Sequence, residues 1–272
     1  MSKSKIFVFT SLILILIISS LIWFTKTQSV KLEKPIFKLG YVNVIQALPI
    51  FTAQEKGWLD NSNWKIELLK MESSNQVNDA ILKDQIDFSS QINIYPPLLT
   101  QINKPNSVQI FATTDLTSDK PFDSIVVKSN SQIQNLSDLS GKKIGVFPGI
   151  SASNQLKALL KKQNIDFIKT EFVQLSPAFQ LQAIENNSVD AIYDYEPVVT
   201  TALVSQNYRK IYGSVYAEVF DHSPAGVWVL STKTKITTPK KSKKLLKCYK
   251  NLMIMVKSTN QKARKLSKKL LI

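Results

Sequence analysis

Short apolar runs alternate with amphipathic segments along most of the chain, and this alternation predicts strands that alternate with helices. Between residues 35 and 114 the apolar runs have the length of buried strands, and the segments between them have the length of helices. The predicted strands are 37–42, 64–71, 86–90 and 108–114, and the predicted helices are 49–56, 76–83 and 96–102. Strands separated by such helices predict an α/β fold with a mostly parallel sheet covered on both faces.

The same design begins again near residue 142. It predicts strands at 143–147, 167–175, 189–193 and 209–212 and helices at 153–162, 177–186 and 197–206. Residues 38–41 (KLGY) recur as residues 143–146 (KIGV), and Ala80, Ile81 and Asp87 recur as Ala183, Ile184 and Asp190, about 100 residues further on. The chain is therefore expected to form two similar lobes. Asp87 and Asp190 are each expected to end a loop before a strand rather than to bind a ligand.

Two further β-rich runs, at 122–128 and 224–230, lie between the lobes and after the second one. We expect them to be crossings that form a two-strand hinge, an arrangement that lets rigid lobes close on a ligand. The predicted domains are lobe one at 34–122 plus 223–272 and lobe two at 123–222. Ligands of open α/β sheets bind beyond the carboxyl ends of the strands, so the cleft between the lobes is the expected site.

The N-terminal segment predicts a membrane anchor. Residues 6–24 carry no charge and follow Lys3 and Lys5, and as a helix they would cross a hydrocarbon core of about 30 Å. Residues 1–33 are interpreted as an uncleaved signal anchor, or transmembrane segment, with its linker. The alternative is a cleaved signal peptide, which would leave a secreted or periplasmic protein.

The net charge of +15 does not indicate nucleic-acid binding, because the excess of lysine lies almost entirely in residues 233–272, which contain no acidic residue. Leu245, Tyr249, Leu252 and Val256 form one apolar stripe in this tail. The stripe suits a helix packed on lobe one. A helix that lies on anionic lipid or docks a partner is the other interpretation.

Enzymatic chemistry and cofactors are not expected. The chain has one histidine, His222, and one cysteine, Cys248, too few for a zinc site or a disulfide framework. His222 stands beside Asp221 and Ser223, and adjacent residues cannot form a catalytic relay with one another. No glycine-rich phosphate loop is present either.

Five segments resemble the substrate-binding proteins of ABC importers for nitrate, sulfonate, taurine and thiamine-pyrimidine precursors. They are residues 39–57, 86–99, 136–153, 189–197 and 224–227. The resemblance implies a two-lobed type II periplasmic-binding fold and a monomer that captures a small polar solute outside the cytoplasm. It also implies an ABC permease and ATPase as partners. Family members continue with further helices after the return strand, so lobe one is expected to be truncated. The alternative within the superfamily is an enzyme that makes a thiamine pyrimidine precursor.

The resemblance also implies a site at turns that face the cleft. Helix N-termini bind anions or carbonyl oxygens, serine hydroxyls add donors, and aromatic rings can sandwich a flat ligand. Alternatively, the serines are only helix caps and Tyr193 belongs to the core. No arginine lies near these turns, which favours a nitrogenous or neutral polar solute over a strong anion. The candidate residues are Asn43, Gln46, Leu48, Asn93, Tyr95, Gly149, Ser151, Ala152, Ser153, Tyr193, Tyr195 and Glu196.

Overall fold

A computed structural model describes residues 19–20, 34–60, 64–115, 122–220 and 224–232, together with residues 243, 247 and 250. The predicted anchor at 6–24, apart from Ser19 and Ser20, and nearly all of the tail at 233–272 lie outside the described residues, as does His222. No helix within the described ranges combines the length and the apolarity that a membrane crossing requires. Contacts divide the chain into residues 1–35 and 36–272, and the second unit holds all of the fold that follows.

The first half of this unit alternates strands and helices as the apolar pattern predicts. Its elements, in chain order, are β1 (Ile36–Val42), α1 (Leu48–Glu55), β2 (Lys65–Met71), α2 (Ser74–Leu82), β3 (Phe88–Ser89), β4 (Ile92–Asn93), α3 (Tyr95–Asn103) and β5 (Val108–Asp115). A 3-10 turn, Ile45–Ala47, leads into α1. The first residues of α1 and α3 precede prolines that suit a helix start.

The second half repeats the design and then returns to the first. Its elements are β6 (Asp123–Lys128), β7 (Lys143–Val146), α4 (Ile150–Lys162), β8 (Glu171–Gln174), α5 (Pro177–Glu185), β9 (Ala191–Tyr195), α6 (Val198–Val204), β10 (Tyr208–Gly213), α7 (Val215–Val219) and β11 (Pro224–Ser231). A second 3-10 turn, Leu136–Leu139, precedes β7 and closes a capping box with Asn135.

The two sheets have the same plan. The second sheet has the order β10-β6-β9-β7-β8. The first runs β2-β1-β3-β11, and β11 also pairs with the short strand β4 and with β5. Strands β6 and β11 therefore occupy equivalent places, and each follows an element of the other sheet in the chain. The two predicted crossings are confirmed as strands.

The expectation of mostly parallel sheets holds for the described strands except one in each sheet, β11 in the first and β6 in the second. Strand β1 pairs in parallel with β2 and β3, and β7 does so with β8 and β9. All pairs made by β6 and β11 are antiparallel. The reason is the crossing itself: a strand that enters from the other lobe, without a helical crossover, arrives in the opposite direction.

The repeated aspartates make the same pair of hydrogen bonds at equivalent places in the two lobes, each within its own lobe. In the first lobe, Lys38 N donates to Asp87 Oδ2 at 2.9 Å, and Asp87 N donates back to Lys38 O at 2.9 Å. In the second, Lys143 N donates to Asp190 Oδ2 at 2.8 Å, and Asp190 N donates to Lys143 O at 2.8 Å. Each aspartate fixes a loop to the start of a central strand, which confirms its structural interpretation.

The return strand completes the core of the first lobe. Trp228, in β11, is buried and stacks on Phe88 of β3, with ring centroids 6.5 Å apart. Phe111, from β5, packs on the other side of the same indole at 6.3 Å. Residues far apart in sequence thus build one core. The two crossing strands connect the lobes, with β6 inside the second sheet and β11 inside the first.

Candidate functional site

A small cavity lies between the two lobes, beyond the carboxyl ends of β1, β7 and β9. We call it the inner cavity. Its volume of about 40 Å³ would hold roughly three water molecules. Its lining residues come from both sheets and from the turns that follow them: Val42, Val44, Gln46, Ser74, Gln91, Ile92, Asn93, Phe122, Phe147, Pro148, Ser151, Tyr195 and Gly226.

The first lobe supplies the carboxamides of this cavity. Gln91 Nε2 donates to Thr114 Oγ1, and Asn93 Oδ1 accepts from the N-terminal N–H of α3, at Tyr95, at 3.0 Å. Gln46, in the 3-10 turn before α1, differs because its Oε1 is buried and has no hydrogen-bond partner among the described residues. A buried carbonyl oxygen without a partner costs about 1–3 kcal/mol, so Gln46 is an open acceptor position in this cavity.

The second lobe presents the N-terminus of α4. Gly149 caps this helix with φ 93° and ψ −178°, a conformation essentially reserved for glycine, and its N–H donates to Gln174 Oε1 at 2.9 Å. Ser151, in the first turn, lines the cavity, and its Oγ is buried without a partner in the described part of the chain. The positive end of a helix of 13 residues and a free hydroxyl therefore face the same small space.

Two of the three aromatic rings of the cavity, Phe147 and Tyr195, come from the second lobe, and the third, Phe122, stands directly before β6. Tyr195 lies between two rings: it stacks on Phe122 with centroids 5.3 Å apart and contacts Phe147 at 5.2 Å. These planar faces form an apolar wall opposite the carboxamides, a combination typical of small-molecule sites.

A buried polar network supports the rings from below. The Tyr193 hydroxyl donates to Asp123 Oδ2 at 2.7 Å, and Gln155 Oε1 lies 2.9 Å from the hydroxyls of both Tyr193 and Tyr195. Asp123 Oδ2 also accepts from Tyr216 N at 2.8 Å. Burial raises the pKa of Asp123 to about 6, against the opposing effect of these hydrogen bonds. The network therefore holds the Tyr195 ring in its place in the cavity wall.

Asp194 is the second buried carboxylate of this region. Burial, with a smaller contribution from the nearby charge of Glu196, raises the pKa of Asp194 to about 7. Its Oδ1 accepts from Tyr195 N at 2.7 Å, whereas its Oδ2 has no partner among the described residues. Neither aspartate lines the inner cavity.

A second, larger space adjoins the inner cavity, and we call it the outer cavity. Val42 and Phe147 line both, so the two spaces share a wall. The outer cavity has a volume of about 230 Å³. It carries one cation and one carboxylate, Lys70 and Glu72, whose charged atoms lie 3.8 Å apart. Its remaining lining residues are Asn43, Met71, Ser176, Pro177, Ala178, Pro197 and Val198.

A family model described as "NMT1/THI5 like" matches residues 44–253, which include every residue of both cavities except Val42 and Asn43. The chain belongs to this family. The resemblance to importer binding proteins is confirmed by the relatives and solved structures of this NMT1/THI5-like protein.

A Bacillus subtilis protein named as an aliphatic sulfonates-binding protein is 26% identical over 221 residues, 79% of this chain. The NMT1/THI5-like chain spans 64% of the length of that relative. Among solved structures, the alkanesulfonate-binding protein SsuA from Xanthomonas axonopodis pv. citri, bound to MOPS, has a TM-score of 0.67 at 19% identity. The match covers 85% of this chain and 78% of that one.

The periplasmic aliphatic sulphonate binding protein SsuA from Escherichia coli has a TM-score of 0.64 at 18% identity, with 88% of this chain and 79% of that chain covered. At these identities the structural likeness establishes the fold alone. The two-lobed periplasmic-binding architecture expected for this NMT1/THI5-like protein is thus shown.

The structure brings together only part of the predicted site of the NMT1/THI5-like protein. Gln46, Asn93, Ser151 and Tyr195 line the inner cavity, and Asn43 lines the outer one. The other seven candidates line neither cavity: Leu48, Tyr95, Gly149, Ala152, Ser153, Tyr193 and Glu196. A role in solute binding stays a prediction for all twelve.

The seven candidates that line neither cavity make other local contacts or are exposed. Leu48 is exposed at the start of α1, and Tyr95 contacts Phe220 with ring centroids 5.7 Å apart. Ser153 Oγ donates to Ile150 O within α4 at 3.2 Å, and the Glu196 carboxylate accepts from Thr200 N at 3.0 Å in the first turn of α6. Ala152 and Tyr193 are buried, and Gly149 contributes its backbone to the α4 cap.

Sequence reasoning missed several lining residues. Phe147 and Pro148 directly precede the predicted turn at Gly149, so extending that turn by two residues would have found them. Phe122 is the first residue of the predicted crossing at 122–128 and stands just before the observed strand β6, but sequence reasoning did not assign it to the site. Gln91 lies in the bend between β3 and β4, which no local pattern marks. Within residues 34–60, 64–115, 122–220 and 224–232, no three His, Cys, Asp or Glu side chains converge to hold a metal ion.

Proposed function

We propose that this protein is the solute-binding receptor of an ABC importer and captures a small polar solute between its lobes. The observation that carries the proposal is the pair Gln46 Oε1 and Ser151 Oγ. The two residues belong to opposite lobes and line the inner cavity, and both atoms are buried without a partner among the described residues. A solute that bonds to both would offset the cost of burying them and would hold the lobes together.

The inner cavity suits a compact head group that carries oxygen atoms. The Ser151 hydroxyl and the N-terminus of α4 offer donors. None of the described residues that line this space is charged, so the helix terminus would meet any anionic charge. Sulfonate and nitrate have this chemistry, and relatives with such names support the proposal. The Gln46 oxygen would accept a hydrogen bond from a hydroxyl or amine of the same solute. A nitrogenous head group stays a competing prediction.

The outer cavity would hold the remainder of the solute. It lies next to the inner cavity across Val42 and Phe147, and its volume is several times larger. Its wall is mainly apolar, with Lys70 and Glu72 at its edge. A head group joined to a short organic tail would fill both spaces, whereas nitrate would fill only the first.

The remaining parts of the proposal rest on the family for the importer partners and on the sequence pattern for the anchor and the lobe bounds. The protein acts as a monomer on the extracytoplasmic side, held by the segment at 6–24, and its closed form delivers solute to a permease with an ATPase subunit. The lobes are assigned to 34–122 plus 223–272 and to 123–222. Solute capture is reversible and no bond of the solute changes, so the protein is not an enzyme.

The proposal is tested by thermal unfolding of the purified full-length chain with ethanesulfonate, taurine, nitrate, a pyrimidine and putrescine. A solute that binds only the folded state stabilises it by about 2.7 kcal/mol at 100 times its Kd. We expect ethanesulfonate or taurine to raise the unfolding temperature. The variant Ser151→Ala should lower the affinity for that solute by roughly 10-fold or more, because the complex loses a hydrogen bond to a charged group.

Ser153→Ala is the matched control. Ser153 lies two residues after Ser151, and its hydroxyl donates to a backbone oxygen within α4. The substitution should therefore leave the affinity for the solute unchanged. A folded protein that none of the five solutes stabilises would contradict the receptor function, as would chemical conversion of a bound solute. Equal losses in the two serine variants would show that the inner cavity is not the site.

A further inference from the structure

Direct polar contacts between described residues join the lobes around the cleft, and three of them lie beside its turns. Ile45 N donates to Glu196 O at 3.0 Å, and Ser176 Oγ donates to Glu72 Oε2 at 3.0 Å. The third is made by Asn75, in the first turn of α2, whose Oδ1 accepts from Ile150 N at 3.3 Å. Ile150 is the first residue of α4, so a side chain of lobe one caps a helix of lobe two.

Asn75 also lies against the glycine that precedes α4. A Cβ added at Gly149 would stand 2.5 Å from Asn75 Oδ1, which a larger residue could not accept without a shift of that side chain, and 3.4 Å from Ser73 Cβ, an ordinary contact. Asn75 itself lines neither cavity. It therefore occupies the outer side of the same helix terminus whose inner side, at Ser151, faces the inner cavity.

We propose that Asn75 is a latch that favours the closed form by capping α4 across the lobes, and that it thereby sets the affinity for solute. Helices offer four N–H groups at their start, and the latch takes one of them in place of a ligand atom. The observed affinity of a two-state receptor equals its intrinsic affinity scaled by the closed fraction. Asn75 raises that fraction before solute arrives. The affinity part of the proposal rests on the proposed function, and the closure part does not.

The latch predicts opposite responses to two substitutions. Asn75→Ala removes the cap and should shift the open–closed equilibrium of the empty protein towards the open form by about fivefold, the factor that one net hydrogen bond contributes. Asn75→Asp places a carboxylate at a helix N-terminus and should shift it towards the closed form. The same carboxylate should lower the affinity for an anionic solute several-fold, because the two negative charges would repel each other at one helix terminus.

Closure is measured by double electron–electron resonance, which gives the distance between spin labels on Lys83→Cys and Asn186→Cys. Cys248 is changed to Ser in this full-length chain. Both sites are exposed, and each lies directly after a helix, α2 in lobe one and α5 in lobe two. The control is Asn78→Ala on the same helix, which removes a bond to Thr100 Oγ1 of 2.8 Å that stays within lobe one. It should leave the distance distribution of the folded protein unchanged.

Longer distances in Asn75→Ala and shorter ones in Asn75→Asp, without solute, support the latch. Unchanged distances in both variants, or shifts in the same direction, overturn it. Ethanesulfonate titrations then test the second part, for which we expect weaker binding in both variants. If the distances shift as expected and ethanesulfonate, taurine and nitrate bind to no variant, the latch stands and the proposed function fails.

Discussion

The two lobes share one sheet plan, yet they bring different chemistry to the cleft between them. All the carboxamides that line the inner cavity, from Gln46, Gln91 and Asn93, belong to the first lobe. The rings of Phe147 and Tyr195 belong to the second, together with the N-terminus of α4, and Phe122 stands at the boundary directly before β6. An internal repeat can therefore keep its scaffold while its two copies become complementary halves of one site.

The difference begins at the first turn of each lobe. After β1 the chain forms the 3-10 turn Ile45–Ala47, which points a side chain, Gln46, at the cavity. After β7 the chain reaches Gly149, whose positive φ brings backbone and Ser151 to the same place. A side-chain acceptor thus faces a helix terminus, and a symmetrical pair of turns would have offered two similar groups.

The largest effect is expected from a side chain at the second-lobe turn. Gly149→Ala would force alanine into a backbone region that costs about 1–3 kcal/mol, and its Cβ would meet Asn75 Oδ1 at 2.5 Å. We expect a loss of about 3 kcal/mol in the free energy of unfolding, measured with urea. Gly57→Ala is the control: it has φ 68° and open space around it, so about 1 kcal/mol is expected. Equal losses would mean that the first lobe does not crowd this turn.

A slightly smaller effect concerns pH, because the buried carboxylates among the described residues, Asp123 and Asp194, both lie in the second sheet. The pKa of Asp194 is about 7 in the folded protein and about 3.9 in an unfolded chain. The folded state therefore binds the proton more tightly, and this stabilisation is lost as pH rises through 7. Between pH 5 and pH 8 the free energy of unfolding should fall by about 2–3 kcal/mol from this residue alone.

Asp194→Asn should remove that dependence while it keeps the oxygen that accepts from Tyr195 N. Urea unfolding of both proteins at pH 5, 6, 7 and 8 makes the comparison. The same substitution at Asp123, with its pKa of about 6, should remove a smaller share. Parallel pH curves for the natural protein and Asp194→Asn would contradict the predicted burial effect.

The smallest effect tests what the lobes share. Asp87→Ala and Asp190→Ala each remove the acceptor for a backbone N–H at the start of a central strand. We expect similar losses of about 1 kcal/mol in the two variants, since the hydrogen bonds match within 0.1 Å. Thermal unfolding of each variant measures the loss. A difference of more than about twofold would show that the repeated bridges differ in energy despite their equal geometry.

Local pattern was sufficient to predict the alternation of strands and helices, the repeat and the two crossings. It did not predict the antiparallel direction of β6 and β11, because direction depends on which lobe a strand comes from. It also could not rank Tyr193 and Tyr195: both lie in β9, and the shorter distance of Tyr195 from the strand end is what places its ring in the cavity. Asn75 carried no signal, because its partner, Ile150, belongs to the other lobe.

The crossing strands also set an order of assembly. Residues 123–213 contain every strand of the second sheet in one continuous stretch. The first sheet, by contrast, lacks β11 until the whole second lobe has been synthesised, and Val229 N must then reach Ser89 Oγ, 140 positions away along the chain. Contacts of such separation form late. During synthesis or export, the first lobe would therefore wait with β3 and β5 unpaired along one edge, a surface prone to aggregation that a chaperone would need to shield.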